Sequence, residues 1–385
     1  MTDKLSDILT SWKEGRNVLL YGPPATGKTR LISELFQILK SSNESKEGII
    51  LDPNDADSPF SRPEQELPIP KPVKVVWTTF HQSYSYEDFV LGLRPEITLS
   101  GTKLKPYAGV FLDAALELSE TTSEYKSVVI FIDEINRGNA ARIFGEFMTF
   151  LDFDYRNDGR SPLPVPLRQL KYVDGESEEI YRAEGQVAKI PIGYTFPKHI
   201  YIIATMNSVD RAAVPIDSAL ARRFDRIEMR PNPSVLANKW GLNESSITVP
   251  TDDNWQNLSP LESAYLLLDR LNLAIAADLG SEFELGHGLL TQLTASDSDE
   301  DVIWNDLAKA WDEVIYPQLE DRYSGRPEQL IELLRVDTPP SIDSYAWTLR
   351  TKLGSSIQAR TLTPVRISEL SSEIIKRSFR WLTRE

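Results

Sequence analysis

The sequence predicts an α/β domain, a parallel sheet flanked by helices, followed by a mostly helical subdomain. Three observations carry this. The runs at residues 17–21, 128–132 and 199–205 are almost continuously apolar, as strands buried on both faces should be. Segments with helical spacing separate them. From about residue 233 only helical spacing is left.

In chain order, residues 5–12 read as a helix and 17–21 as a buried strand. A helix follows from Lys28 to about Lys40, with Leu31, Ile32, Leu35, Phe36 and Leu39 on one face. Residues 41–72 are rich in Ser, Pro, Asp and Glu without periodicity, which predicts a mobile surface insertion. Residues 73–79 read as a strand, 86–91 as a short helix, 109–118 as a longer one, 128–132 as a central strand and 140–151 as a helix. A second insertion, 152–192, mixes Gly, Pro and charge and fits a protruding hairpin or long loop. Residues 199–205 form another central strand, 218–223 a short helix and 226–230 a last strand. Helices are expected at 261–277, 302–320 and 328–334. In the tail, Ile367, Leu370, Ile374, Ile375, Phe379 and Leu382 lie near one helical stripe, which reads as a helical extension packed against the helical subdomain, with a partner-docking helix as the alternative. The expected division is 1–232 for the α/β domain, 233–355 for the helical one and 356–385 for a C-terminal extension.

The chain has 385 residues, a net charge of −15 and no cysteine. Disulfides and Cys-ligated metals are therefore excluded. His81, His199 and His287 are too scattered in sequence to suggest zinc. No apolar stretch reaches the ~18 residues a membrane span requires, and the N-terminus has no apolar signal-peptide core. A cytoplasmic protein is the expectation. An acidic chain does not attract nucleic acid through bulk electrostatics, so DNA contact requires a local basic patch or another subunit.

Gly22-Pro23-Pro24-Ala25-Thr26-Gly27-Lys28-Thr29 has the spacing of a phosphate-binding loop and sits between a strand and a helix, the context that separates it from a chance glycine-rich turn. Glycines let successive N–H groups turn toward an anion, and the following helix presents its positive end. Lys28 is placed to reach β- and γ-phosphates, and the Thr29 hydroxyl to ligate Mg²⁺. Asp133-Glu134 closes the strand 128–132. Asp133 fits a carboxylate that holds Mg²⁺, and Glu134 a general base for the attacking water. Asn207 at the end of the strand 199–205 can orient that water or contact the γ-phosphate; a turn-forming Asn is the plainer alternative. Arg222 and Arg223 end a short helix. They fit either a solvated basic helix end or arginines reaching a neighbouring subunit's phosphates.

In this order, and with a helical lid behind them, these motifs resemble those of the AAA+ ATPases. Within that superfamily the chain resembles the McrB group, the GTP-driven motor of a modification-dependent restriction system. The resemblance rests on Phe80-His81-Gln82-Ser83-Tyr84-Ser85-Tyr86-Glu87-Asp88-Phe89 with Leu93-Arg94-Pro95, on residues 131–139, on residues 204–211, and on Leu285-Gly286-His287-Gly288 with residues 311–319. It implies that Asn207 is sensor 1, that Asp210 and Arg211 shape the nucleotide site, that Arg222 or Arg223 acts in trans, and that the protein forms a hexameric ring. The nucleotide is ATP or GTP. McrB itself carries an N-terminal DNA-reading domain; only about twenty residues precede the loop here, so none is expected in front of it. No lid arginine is legible as sensor 2, and His287, a lone histidine, reads as structural. The implied function is the motor subunit of a restriction or antiviral system with a separate nuclease or effector partner. The alternatives are a MoxR-like chaperone that remodels proteins and a nucleotide-bound scaffold with little turnover.

Overall fold

The computed structural model describes residues 2–42, 67–98, 101–167, 170, 177–209, 214–250, 255–294, 299–340, 345–351 and 360–384. Most of the first insertion, 43–66, lies outside them. The chain forms two compact units, one of residues 1–21 and 28–228, the other of 22–27 and 229–385.

The first unit begins with α1 (Thr2–Lys13), β1 (Asn17–Gly22), α2 (Lys28–Ser42) and β2 (Val73–Thr79), then α3 (Tyr86–Phe89), β3 (Leu91–Thr98), β4 (Gly101–Ala108) and α4 (Val110–Ser119). It continues through β5 (Ser127–Asp133), α5 (Ala140–Phe144), β6 (Ser177–Tyr181), β7 (Val187–Pro191), β8 (Ile200–Asn207), α6 (Ser218–Ala221) and β9 (Phe224–Glu228). The main sheet has the order β2-β5-β8-β1-β9. β1 pairs with β9, β2 with β5 and β5 with β8, all in parallel. Six of the seven residues of β5 are buried, and so are the first six of β8. Helices cover both faces of such a sheet, so its strands lack polar alternation.

Register sets the two ends of the sheet. Thr79 pairs with Asp133, and Ile132 with Ala204, so Thr205 falls level with Asp133 at the carboxyl edge. At the opposite edge Asn17 pairs with Phe224, directly after Arg222 and Arg223. That edge is tied together by buried polar groups. Asn17 Nδ2 donates to the carbonyls of Leu151 (2.9 Å) and Arg223 (3.4 Å), while its Oδ1 accepts from Ile202 N–H (3.1 Å). Arg156, fully buried, donates to the carbonyls of Phe150, Leu151, Lys198 and Ile200. Its guanidinium lies 3.7 Å from the Phe153 ring centre.

Several elements differ from the sequence expectation. The helix expected over 140–151 is α5 followed by a 3₁₀ stretch, Gly145–Leu151. Gly145 breaks it with φ 51, and a Cβ there would lie 2.9 Å from the Tyr86 ring. The short helix expected over 86–91 stops at Phe89, and Leu91 opens a long hairpin, β3–β4, which pairs in antiparallel. Within the second insertion β6 and β7 form a hairpin that joins β3 and β4 in a separate four-stranded sheet. Ile180, Ala188 and Ile190 bury one face of that hairpin. On the other face Tyr107 and Tyr181 stack at 5.2 Å.

The second unit contains α7 (Pro233–Trp240), α8 (Pro260–Asp278), α9 (Glu300–Ala310), α10 (Tyr316–Arg322), α11 (Pro327–Leu333), β10 (Leu349–Thr351), β11 (Arg360–Leu362) and α12 (Ser372–Leu382). Local chemistry sets the helix starts. Asn232 accepts from Ser234 N–H ahead of Pro233, and Ser259 and Glu262 form a reciprocal capping box at α8. A π turn, Trp311–Ile315, joins α9 to α10. Its Trp311 packs against Trp347 (5.2 Å) and Phe379 (5.6 Å). Asp312 accepts from Ile367 N–H (3.0 Å) and Ser368 N–H (2.9 Å). The tail stripe therefore closes this unit's own core, where Ile367, Ile375, Phe379 and Leu382 are fully buried.

Candidate functional site: a phosphate loop and a carboxylate pair

Residues 22–27 run from the end of β1 to Lys28, the first residue of α2. The turn uses three residues at positive φ: Gly22 (148), Ala25 (60) and Gly27 (86). A Cβ at Gly22 would lie 2.3 Å from the Met229 carbonyl oxygen, so only glycine fits there. The Thr26 hydroxyl donates to the Pro23 carbonyl at 3.0 Å. Lys28 is 5% exposed, and Thr29 is exposed. Burial pulls the Lys28 ammonium down to about 8, against the opposing pull of the Glu134 and Asp133 charges. A lysine so desolvated, facing two carboxylates, is prepared to hold an anion.

The carboxylates are fixed from β8. The Thr205 hydroxyl donates to Asp133 Oδ1 and accepts from Glu134 N–H at 3.0 Å. Asn207 Nδ2 donates to Glu134 Oε1 at 2.5 Å. Asn136 Nδ2 donates to the Asn207 carbonyl at 3.0 Å, and Arg137 Nε lies 3.8 Å from Glu134 Oε2. Glu134 itself sits in the left-handed region, φ 54 and ψ 50. A non-glycine residue there costs about 1–3 kcal/mol and persists where its surroundings over-determine it. Here the Thr205 and Asn207 contacts supply that constraint.

The structure thus gathers Lys28, Asp133, Glu134 and Asn207. Asp210 and Arg211 lie outside the described residues. Arg222 and Arg223 do not join this cluster. They sit at the other edge of the sheet, a strand's length of roughly 15 Å away at ~3.3 Å per residue. The two arginines differ. Arg223 is half-buried and donates to the Ala219 carbonyl of its own helix, whereas Arg222 is exposed. His287 is buried at 4% exposure, and its Nδ1 accepts from Asn232 N–H at 3.2 Å.

Sequence reasoning did not single out Thr205, Asn136 or Arg137. Thr205 was findable in principle, since a polar residue level with the strand-end acid must face it once β5 and β8 pair in parallel. That pairing is a tertiary fact. For Mg²⁺, the Asp133 carboxylate and Thr29 hydroxyl are hard oxygen donors of the right chemistry. No group of three or more His, Asp or Glu side chains able to hold a metal exists among the described residues. No helix among the described residues is long and apolar enough to cross a membrane.

Two family models match the chain. Residues 71–224 match an AAA domain of the dynein-related subfamily, and residues 264–330 match the alpha-helical lid domain of McrB. Among curated proteins, the chain is 28% identical over 316 residues to the Type IV methyl-directed restriction enzyme EcoKMcrB subunit of Escherichia coli K12. That match covers 81% of this chain and 55% of the relative. It is 25% identical over 219 residues to the Type II restriction enzyme BsuMI component YdiS of Bacillus subtilis 168, covering 56% of this chain and 57% of that one. The chain therefore spans just over half the length of these two relatives. A solved structure from Cytophaga hutchinsonii aligns over 86% of this chain and 78% of its own at 14% identity, with a TM-score of 0.30, too loose a likeness to bear on the fold.

Proposed function

The chain belongs to the AAA+ ATPases, in their McrB-like group, and from that premise we propose that it is a Mg²⁺-dependent nucleoside triphosphatase, the motor subunit of a restriction system. The observation that carries the reading is the Glu134 carboxylate, held in a left-handed turn by Asn207 beside Asp133 and the buried Lys28.

Residues 22–29 hold the triphosphate, with Lys28 on the β- and γ-phosphates. Thr29 and Asp133 would hold Mg²⁺, which neutralises phosphate charge when bound. Glu134 takes the proton from the attacking water, and Asn207 fixes the carboxylate's aim. Phosphoryl transfer requires little covalent help, so most of the gain lies in positioning and charge stabilisation. Arg222 reaches the site of the next subunit in a ring, taken here as a hexamer. Its exposure supports this, and so does its distance from the carboxylates of its own chain. The Ala219 bond of Arg223 favours Arg222 over its neighbour for that role.

The restriction context comes from relatives whose names describe restriction-enzyme subunits or components. It implies a separate nuclease or effector partner. The net charge of −15 favours indirect DNA contact. The same charge supports a second reading, remodelling of a protein substrate. Steady-state hydrolysis of ATP and of GTP, with and without a candidate nuclease partner, tests the proposal. Partner-stimulated turnover supports the restriction motor, and absence of turnover with either nucleotide rejects it.

A further inference from the structure

The segment Leu285-Gly286-His287-Gly288 has no part in the chemistry above, yet it lies against the phosphate loop. Gly288 N–H donates to the Ala25 carbonyl at 2.8 Å. A Cβ at Gly286 would stand 2.2 Å from the Pro24 carbonyl oxygen and 2.3 Å from that of Ala25. A Cβ at Gly288 would stand 2.8 Å from the Ala25 oxygen. Gly286 has an ordinary φ of −68, so close backbone approach, not conformation, requires glycine there. His287 between them is buried and anchored on Asn232 N–H.

A loop that turns its amides toward an anion turns carbonyls away from it, and those carbonyls require donors. The Thr26 hydroxyl serves Pro23, and the Gly288 amide serves Ala25. Ala25 is also the loop's one non-glycine residue at positive φ among residues 22–27. A strained residue of this kind keeps its shape only while its neighbours hold it. Gly288 holds it from outside the loop.

We propose that Gly286 and Gly288 are positioning residues for the phosphate loop. Through the Ala25 carbonyl, the 285–288 segment sets the loop's anion-binding shape and in turn senses its occupancy. The inference rests on reading residues 22–29 as the triphosphate site. Binding free energies are reciprocal, so a segment that shapes the loop is itself stabilised when the loop fills.

Two measurements test this. In the unmodified chain, amide hydrogen exchange at Gly288 is followed without nucleotide and with the non-hydrolysable imido analogues of ATP and GTP plus Mg²⁺. Exchange at Gly288 slows with whichever analogue binds. Gly288→Ala weakens nucleotide affinity by about tenfold or more, with kcat at saturation and the nucleotide-free Tm close to wild type. Ala25→Gly, which removes both the strain and the Ala25 Cβ, recovers part of that loss. Unchanged Gly288 exchange in a chain that binds nucleotide overturns the inference, as does wild-type affinity in a folded Gly288→Ala chain. Should Gly288→Ala not fold, the exchange measurement decides alone. A wild-type chain that binds neither analogue overturns the function proposed above, a separate result.

Discussion

Asn207 Nδ2 sits 2.5 Å from Glu134 Oε1, joining the end of β8 to the first residue after β5. The bond fixes which way the carboxylate points, and Thr205 fixes the backbone that carries it. In the proposed mechanism β8 therefore holds the base from across the sheet, beside the Arg137 contact from its own loop. Asn207→Ala is expected to lower kcat by about 10²-fold, the lower end of what a positioned general base contributes. Nucleotide affinity should be nearly unchanged, as measured by equilibrium titration beside steady-state kinetics. A fall in affinity with normal kcat would assign Asn207 to binding.

Lys28 gives a pH signature. Its pKa of about 8 lies below the ordinary lysine value of 10.5 because burial penalises the ammonium. The unfolded chain therefore binds more protons than the nucleotide-free fold between pH 8 and 10.5, and this group makes the fold more stable as pH rises through that window. Nucleotide binding runs the other way, since the phosphates require the ammonium. Affinity should decline as pH rises above about 8, and binding near pH 8 should take up protons. Calorimetric titration in two buffers of different ionisation enthalpy measures that uptake, and no buffer dependence would refute it.

Arg222 and Arg223 should separate cleanly. Arg222→Ala is expected to lose about 10³-fold in turnover, the lower range for an arginine supplied in trans, while nucleotide still binds. Arg223→Ala should lose less, since that side chain already serves Ala219. Mixing Arg222→Ala with Lys28→Ala protomers should restore measurable turnover, because some interfaces then pair an intact loop with an intact arginine. No recovery in mixed assemblies would place the arginine in cis.

Arg156 is a test of the fold. Its guanidinium is fully buried and hydrogen-bonded to four backbone carbonyls, with burial drawing its pKa down to about 9. Arg156→Met removes every donor and leaves those acceptors buried. At about 1–3 kcal/mol for an unsatisfied buried group, a loss of about 3 kcal/mol or more is expected in denaturant unfolding. A change below about 1 kcal/mol would mean that water or another donor replaces it.

These residues also show what a sequence exposes. The central strands were readable because burial on both faces leaves continuous apolar runs. The run 22–29 and the pair Asp133-Glu134 stood out as candidates because each is a short local pattern at a strand end. β3 and β4 were not, because Pro95, Pro106 and the charges between them break the strand pattern of a hairpin whose outer stretch stays exposed. The helix over 140–151 failed at Gly145, which must make room for the Tyr86 ring 59 residues away in sequence. The contacts of Thr205 and Gly288 depend on strand register and on packing between distant segments, which no local spacing encodes. The tail stripe was legible as a stripe, but its place beside Trp311 was not.

In the proposed mechanism everything turns on Glu134 as the general base of a working triphosphatase. The most direct measurement is steady-state hydrolysis of ATP and of GTP by the wild-type chain and by Glu134→Gln, each with Mg²⁺ and with nucleotide binding measured in parallel. Glu134→Gln is expected to bind nucleotide as the wild type does but to hydrolyse it at least about 10²-fold more slowly. Turnover by Glu134→Gln at the wild-type rate would contradict that role.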